Sequence, residues 1–242
     1  MKEKLKGKIA LITGGGTGIG RAIALRLAED GISLALCGRN ASRLDAVKAE
    51  AQSLGADAWV LQGDLTDDNF LFSCIDQVTA HFGGLDILIN NAGMALNCRL
   101  DDTQAEQFDR IMRLNVRAPY FLCRDALAWL KKSDWATVIN IASVVGHKGY
   151  VQQSAYAASK HAVIGFTKSL ANETYKDGIR VHVISPGGVY TDMVAISRPD
   201  LKPDGMIMPQ DIAEIAAFLI ENRGNAVIDE ICVHRAGKEP FA

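Results

Sequence analysis

The segment Ile9-Ala10-Leu11-Ile12-Thr13-Gly14-Gly15-Gly16-Thr17-Gly18-Ile19-Gly20 decides the fold. Its first four residues form a short apolar run, which predicts a buried strand. Glycines follow in a G-x-x-x-G-x-G spacing, and a helical pattern continues over 21–28. A tight turn at a strand end needs residues without Cβ, and the free N–H groups of the next helix attract a phosphate. The segment therefore predicts a strand–turn–helix unit that binds a dinucleotide, although the standard spacing for such a unit is G-x-G-x-x-G.

The rest of the chain repeats this alternation of short apolar runs and longer amphipathic segments. Further strands are expected at 33–37, 58–61, 85–89, 138–141, 181–184 and 227–233, and helices at 41–54, 67–82, 103–130, 155–175 and 210–221. Strands separated by helices pair in parallel, and near-continuous apolar runs are typical of a sheet covered on both faces. We predict an α/β fold: one Rossmann-type, doubly wound domain over 1–242 with a seven-stranded, mostly parallel sheet. Pro119 is expected to kink or break its helix, and 186–209 to form a substrate loop.

Composition and charge narrow the class of protein. Hydrophobic residues make up 48% of the 242, enough for a sizeable core. With a net charge of -2, the chain has no excess of positive charge that would attract nucleic acid or an anionic membrane. We see neither a signal peptide nor an apolar run of membrane-spanning length. The five cysteines are scattered and form no CxxC, so neither a disulfide framework nor a zinc site is suggested. These features favour a cytoplasmic protein that binds neither nucleic acid nor membrane.

Residues after the second and third strands bear on which dinucleotide binds. About twenty residues past the glycine turn, an acid would accept from the 2′-OH of NAD, whereas a base would pair with the 2′-phosphate of NADP. The second strand ends in Cys37-Gly38-Arg39-Asn40, without an acid. Arg39, with Arg43 one turn on, therefore favours NADP(H); the alternative is a solvated residue at a helix start. Asp64 follows the third strand, where it would meet an adenine ring or cap the next helix.

The segment Ser154-Ala155-Tyr156-Ala157-Ala158-Ser159-Lys160 carries a phenol and an ammonium four residues apart. In a helix this spacing places them on one face, one turn apart. The positive charge of Lys160 would lower the pKa of Tyr156 from its ordinary value of about 10, so that the phenol could give or take a proton. The alternative is a Tyr packed on the core and a Lys in solvent. Ser143 closes the fifth strand and is expected near the start of this helix.

Taken together, these motifs resemble those of the short-chain dehydrogenase/reductase family over about residues 5–235. The resemblance rests on Thr13-Gly14-x-x-x-Gly18-Ile19-Gly20, Asn90-Asn91-Ala92-Gly93, Asn115, Ser143, Tyr156-x-x-x-Lys160 and Pro186-Gly187. The ending over 225–238 is similar to a subset grouped with 3-oxoacyl-carrier-protein reductases and broad carbonyl reductases. Many NADP-dependent members carry a base where Thr17 stands, so the expectation of NADP rests on Arg39.

The resemblance implies a role for each of these residues. Tyr156 would donate the proton in reduction, and Lys160 would lower its pKa and bind the nicotinamide ribose. Ser143 would hydrogen-bond the substrate carbonyl, and Asn115 would hold a water in a proton relay. Gly14, Gly18, Ile19 and Gly20 would line the pyrophosphate, Asp64 would contact adenine with Asn91 and Ala92 nearby, and Val189 and Thr191 would hold the carboxamide. The other residues implied in cofactor binding are Thr17, Gly93 and Pro186. No metal is required by this scheme.

The leading hypothesis is an NADPH-dependent carbonyl reductase, with 3-oxoacyl thioesters as one substrate class. One alternative is an NAD-dependent alcohol, sugar or steroid dehydrogenase, since NAD could replace NADPH/NADP+ as cofactor. A second alternative is a non-catalytic dinucleotide sensor, although such proteins usually lack the Tyr or the Lys. The expected partners are a small-molecule carbonyl or alcohol substrate and further copies of the chain, in a homodimer or homotetramer. His147 and Tyr150 are expected on the rim of the substrate pocket.

Overall fold

One seven-stranded sheet lies at the centre of the computed structural model, which describes residues 5–192, 194 and 202–238. Every strand pair is parallel, in the order β3-β2-β1-β4-β5-β6-β7. The strands are β1 (Ile9–Thr13), β2 (Ser33–Gly38), β3 (Ala58–Gln62), β4 (Ile87–Asn90), β5 (Thr137–Ile141), β6 (Arg180–Pro186) and β7 (Glu230–Val233). This confirms the predicted doubly wound α/β fold. The strand order reverses between β1 and β4, and ligands of such sheets bind at this switch point.

Helices cover both faces of the sheet. They are α1 (Gly18–Ala28), α2 (Ala41–Ser53), α3 (Asp68–Phe82), α4 (Ala105–Met112), α5 (Ala118–Leu130), α6 (Ser154–Thr174) and α7 (Pro209–Glu221). Side chains alternate along each strand, so that Ile12 packs among residues of α1, α2 and α7, while Leu11 packs among residues of α3, α5 and α6. Burial on both faces explains why the strands read as continuous apolar runs.

Several element ends differ by a few residues from the sequence prediction. The first turn of α3 is capped by Asp67, whose carboxylate accepts a hydrogen bond of 2.8 Å from the N–H of Asn69. The same helix ends at Gly83, which has a φ of 84°, a conformation that glycine adopts readily. Strand β7 begins at Glu230 and not at 227. Val227 precedes the strand and is exposed.

The predicted helix over 103–130 divides at a π-helical turn, Arg113–Arg117, which lies between α4 and α5. Pro119 was expected to cause the break, but it is the second residue of α5. Since proline has no N–H, Pro119 cannot donate to the carbonyl of Asn115 four residues earlier. The irregularity therefore precedes the proline and contains Asn115. Within the described ranges, none of the helices is both long and apolar enough to cross a membrane.

Candidate active site

The glycine-rich turn forms a narrow cradle at the end of β1. Gly14 and Gly18 have φ values of 66° and 52°, which residues with a Cβ rarely adopt. A Cβ on Gly20 would lie 2.3 Å from the carbonyl oxygen of Gly14, so only glycine lets α1 approach the turn. The side-chain amide of Asn91 donates to the carbonyl of Thr13 at 2.9 Å and supports the turn from β4. A helix that starts directly after such a turn is a favourable place for a phosphate, because its first N–H groups have no partner within the helix.

Two adjoining cavities follow the carboxyl edge of the sheet. The larger, of about 580 Å³, extends from the turn to the ends of β2 and β3, and the smaller, of about 210 Å³, extends to β5 and α6. They share Gly14, Thr17, Ala92 and Gly93. Of the other residues predicted to bind cofactor, Arg39 and Asp64 line the larger cavity, and Gly18, Ile19, Asn91, Tyr156, Lys160, Pro186, Val189 and Thr191 line the smaller. The elongated space and its glycine cradle fit a dinucleotide. The cofactor contacts themselves stay predictions.

Charged residues at the larger cavity differ in their surroundings. Arg39 is exposed at its edge. Arg43, expected to assist it, instead pairs with Asp192 at 3.1 Å. Asp64 does not cap α3, since its carboxylate accepts from the N–H and hydroxyl of Thr66 at 2.9 and 2.8 Å. Burial raises the pKa of Asp64, but the Thr66 bonds and the charge of Arg39 outweigh it, so the pKa is lower than usual and the carboxylate stays charged.

Ser143, Tyr156 and Lys160 meet in the smaller cavity, as their positions in the sequence predicted. Ser143 precedes the short 3₁₀ turn Val144–Gly146 and accepts a hydrogen bond of 3.2 Å from the N–H of Val145. Tyr156 and Lys160 lie on successive turns at the start of α6, with the Lys160 Nζ 5.8 Å from the centre of the Tyr156 ring. The Ser143 hydroxyl donates to the carbonyl of Pro186 at 3.4 Å and lies near enough to Tyr156 to affect the pKa of the phenol. The phenol, the hydroxyl and the ammonium therefore face one small space.

The protonation of this group differs from the prediction. Burial raises the pKa of Tyr156 above its ordinary value, and the nearby Ser143 hydroxyl offsets only part of that rise. Lys160 is buried, and its Nζ donates to the carbonyl of Ile141 at 2.9 Å. Burial lowers the pKa of Lys160 to about 8. The prediction of a lowered Tyr156 pKa is thus wrong for this structure, in which the phenol keeps its proton at neutral pH.

Asn115 lies behind the smaller cavity, in the π-helical turn. Its Oδ1 accepts from the N–H of Met94, and its Nδ2 donates to the carbonyl of Met94, both at 2.9 Å. The Nδ2 also donates to the hydroxyl of Ser159 on α6 at 3.0 Å. A Cβ on Gly93 would lie 3.3 Å from the Asn115 Oδ1 and 3.7 Å from the Lys160 Nζ. Asn115 thus positions the chain after β4 against α6, and its relay role stays a prediction.

Two groups of hydrogen bonds near the site were not predicted from the sequence. The Asn90 amide donates to the Asn140 Oδ1 at 2.8 Å, and the Asn140 amide donates to the Thr167 hydroxyl at 2.9 Å, which joins β4, β5 and α6. The hydroxyl of Thr13 accepts from the N–H groups of Asn91 and Ala92, both at 3.0 Å. The signal in the sequence was a polar residue within an apolar strand. Burying such a residue costs free energy unless it is hydrogen-bonded.

The segment after β6 is described in part. Val189 forms an isolated parallel bridge with Ile207, and the methyl of Thr191 lies 3.1 Å from the position of a Cβ on Gly18. The remainder of the predicted substrate loop, at 193 and 195–201, lies outside the described residues. His147, expected on the pocket rim, instead contacts Glu230 of β7. Tyr150 is 45% exposed.

A dinucleotide cradle beside a Ser–Tyr–Lys group at the switch point of a parallel sheet defines an NAD(P)-dependent oxidoreductase. The family model for short chain dehydrogenase matches residues 8–202. The chain belongs to the short-chain dehydrogenase/reductase family.

Several relatives align over most of the chain. A 3-oxoacyl-[acyl-carrier-protein] reductase from Aquifex aeolicus is 31% identical over 96% of this chain and 97% of its own length. Carbonyl reductase family member 4 from Xenopus laevis is 33% identical over 89% of this chain and 92% of its own. The crystal structure of a short chain dehydrogenase from Burkholderia cenocepacia in complex with NADP superposes with a TM-score of 0.86, at 34% identity, over 95% of this chain and 97% of the other.

Proposed function

We propose that the protein reduces a small-molecule ketone with NADPH. The observation that carries this proposal is that Ser143, Tyr156 and Lys160 line one cavity, which adjoins the glycine turn. The relatives named as carbonyl reductase and 3-oxoacyl reductase support a ketone, with 3-oxoacyl thioesters as one class to test.

Each residue of the group has a task that its surroundings support. The nicotinamide, when bound, supplies the hydride to the carbonyl carbon. Tyr156, whose raised pKa keeps the phenol protonated, donates its proton to the carbonyl oxygen. Ser143 hydrogen-bonds the same oxygen and stabilises the negative charge that develops there. Lys160 has three N–H donors and uses one on the carbonyl of Ile141, which leaves donors for the phenol and a ribose hydroxyl.

The preference for NADPH rests on the larger cavity. Of the described residues that line its end near β2, Arg39 offers a positive charge and none offers a carboxylate to a ribose 2′-OH at that strand tip. Arg39 is exposed, whereas Arg43 pairs with Asp192. A guanidinium binds a phosphate through charge-assisted hydrogen bonds, so Arg39 is the side chain to which we assign the 2′-phosphate.

Replacing Arg39 with Ala is expected to raise the KM for NADPH by about 10- to 100-fold and to leave the KM for NADH unchanged. A charge-assisted hydrogen bond contributes about 1.5–3 kcal/mol, which corresponds to this range. The measurement is a screen of ketones followed by NADPH absorbance and repeated with NADH. Arg124→Ala is the matched control, because Arg124 is an exposed arginine on α5.

Other outcomes of the same screen would favour the alternatives. Binding of NADH equal to or tighter than that of NADPH, unaffected by Arg39→Ala, would identify an NAD-dependent alcohol, sugar or steroid dehydrogenase. Tight dinucleotide binding without turnover of any ketone or alcohol would indicate a non-catalytic sensor.

The raised pKa of Tyr156 predicts opposite pH profiles for the two directions of reaction. Reduction uses the protonated phenol, so its rate should stay nearly constant from about pH 6 to about pH 8. Alcohol oxidation uses the phenolate, so its rate should rise about tenfold for each pH unit below the phenol pKa. Initial rates in both directions over one buffer series provide the measurement. An oxidation rate that is flat over this range would contradict the raised pKa.

We also propose a homodimer or homotetramer that works in the cytoplasm. The outer surface of α5 and α6 supports assembly, since Tyr120 is 52% exposed and its ring lies 5.8 Å from that of Phe166. The cysteines carry free thiols, which agrees with a reducing compartment. Light scattering would give the mass as a multiple of 26.1 kDa.

A further inference from the structure

A histidine, a carboxylate and a thiol converge at the edge of the sheet. Glu230 and Cys232 are two residues apart on β7 and therefore point to the same face. His147 follows the 3₁₀ turn after Ser143, and its Nε2 lies 2.6 Å from the Glu230 Oε1 and 3.5 Å from the Cys232 Sγ. The Sγ and the Oε1 are 3.9 Å apart. None of the three residues lines the two dinucleotide cavities.

The arrangement is not that of a nucleophilic triad. In a triad the acid and the nucleophile use opposite ring nitrogens, so that the histidine relays a proton between them. Here the carboxylate and the thiol face the same nitrogen, the Nε2 of His147. The hydroxyl of Ser185 also lies 3.3 Å from this nitrogen and donates to the Glu230 carboxylate at 3.2 Å. Ligand atoms that converge on one point are what a bound cation requires.

The spacing of the three atoms is close to that of a zinc site. Tetrahedral zinc has bonds of about 2.0–2.2 Å to nitrogen and oxygen and about 2.3 Å to sulfur, which places neighbouring ligand atoms about 3.3–3.6 Å apart. The observed Nε2–Sγ distance of 3.5 Å agrees with this range, and the Sγ–Oε1 distance of 3.9 Å is slightly longer. The Nε2–Oε1 distance of 2.6 Å would have to widen, and the 37% exposure of the His147 side chain leaves room for its ring to move.

We propose that His147, Glu230 and Cys232 bind one zinc ion, with the fourth position open to water. Thiolate and carboxylate together balance the charge of the dication, and a mixed sulfur, nitrogen and oxygen set favours zinc over magnesium or calcium. The ion would join the segment after Ser143 to β7. Since His147 and Cys232 are 85 residues apart, their spacing in the sequence gave no indication of a site.

Proton release provides an independent signature of this site. Zinc requires the thiolate, so binding must release a proton to the buffer. Titration calorimetry in buffers of different ionisation heat measures this release.

The test uses the full chain, stripped with a chelator and titrated with Zn²⁺, and with Co²⁺ as a spectroscopic probe. We expect one ion per chain with micromolar or tighter affinity, and a Tm increase of about 5 °C or more at a hundredfold excess over Kd. Cys232→Ser should weaken binding at least tenfold and remove the thiolate-to-Co²⁺ absorption. Glu230→Gln, which keeps the thiol, should weaken binding by a similar factor.

Two control variants separate this site from incidental binding. Cys98→Ser removes another partly exposed thiol, and His234→Gln removes the histidine that follows β7; both should bind like the parent chain. Circular dichroism verifies that each variant is folded. Saturation only at millimolar zinc, a thiolate-to-Co²⁺ absorption that persists in Cys232→Ser, or unchanged binding by Glu230→Gln would overturn the proposal.

Discussion

Tyr156→Phe is expected to lower the turnover of a ketone substrate by about 10³-fold, within the range that a positioned proton donor contributes. The substitution removes one hydroxyl and keeps the ring, so the shape of the smaller cavity should persist. NADPH should still bind, because the glycine cradle and Arg39 are unchanged. The measurements are kcat from NADPH absorbance and NADPH affinity from a fluorescence titration.

A second tyrosine provides the matched control for this experiment. Tyr175 follows α6 and is 65% exposed, so Tyr175→Phe removes a phenol hydroxyl far along the helix from the reacting group. This variant should keep parent activity. Near-normal turnover by Tyr156→Phe would show that another group donates the proton, and a parallel loss of NADPH binding would show that the phenol mainly positions the cofactor.

Sequence pattern was sufficient to group the candidate site because the sheet is parallel. The carboxyl ends of parallel strands meet at one edge, so motifs that follow strands must lie near one another. Gly14, Asn91 and Ser143 follow three neighbouring strands, β1, β4 and β5, and all three line the smaller cavity. The helical spacing of Tyr156 and Lys160 likewise fixed their common face before any tertiary contact was known.

The partners of those side chains could not be predicted in the same way. Helical spacing places the Lys160 ammonium on a face, but its acceptor, the carbonyl of Ile141, belongs to a distant strand. The same applies to Arg43, whose partner Asp192 follows β6. The π-helical turn around Asn115 had a local signal, the proline four residues later, but its position depends on hydrogen bonds to Met94 and Ser159.

Lys160→Met is expected to leave the protein at least as stable at neutral pH while it strongly lowers activity. Burial lowers the pKa of Lys160 from 10.5 to about 8, which means that the fold disfavours the charged form. Below about pH 8 the buried charge destabilises the folded protein by the full amount. The difference in pKa corresponds to about 3 kcal/mol of free energy of unfolding. Between about pH 8 and 10.5 the unfolded chain binds more protons than the folded one, so the stability of the parent protein rises with pH.

Lys160→Met removes the destabilisation caused by the buried charge, but it also removes a hydrogen-bond donor. Without Lys160 the buried carbonyl of Ile141 loses its side-chain partner, which costs about 1–3 kcal/mol. At pH 7 the variant should therefore match the parent protein or exceed its free energy of unfolding by up to about 2 kcal/mol. Near pH 10 the order should reverse, because the parent protein has by then lost most of its penalty. Urea denaturation of both proteins at the two pH values measures this change. A stability difference that is independent of pH would show that burial does not control the charge of Lys160.

The activity of the same variant distinguishes a double role for Lys160 from a single one. Because we propose that its N–H groups serve both the phenol and the nicotinamide ribose, we expect kcat to fall about 10²- to 10⁴-fold and NADPH affinity to fall at least tenfold. Tyr156→Phe should lower only kcat. Lys168→Met, on the exposed side of the same helix, should change neither quantity. If Lys160→Met keeps its NADPH affinity, the ammonium acts on the phenol alone. If it keeps kcat and loses affinity, Tyr156 donates its proton without help from the neighbouring charge.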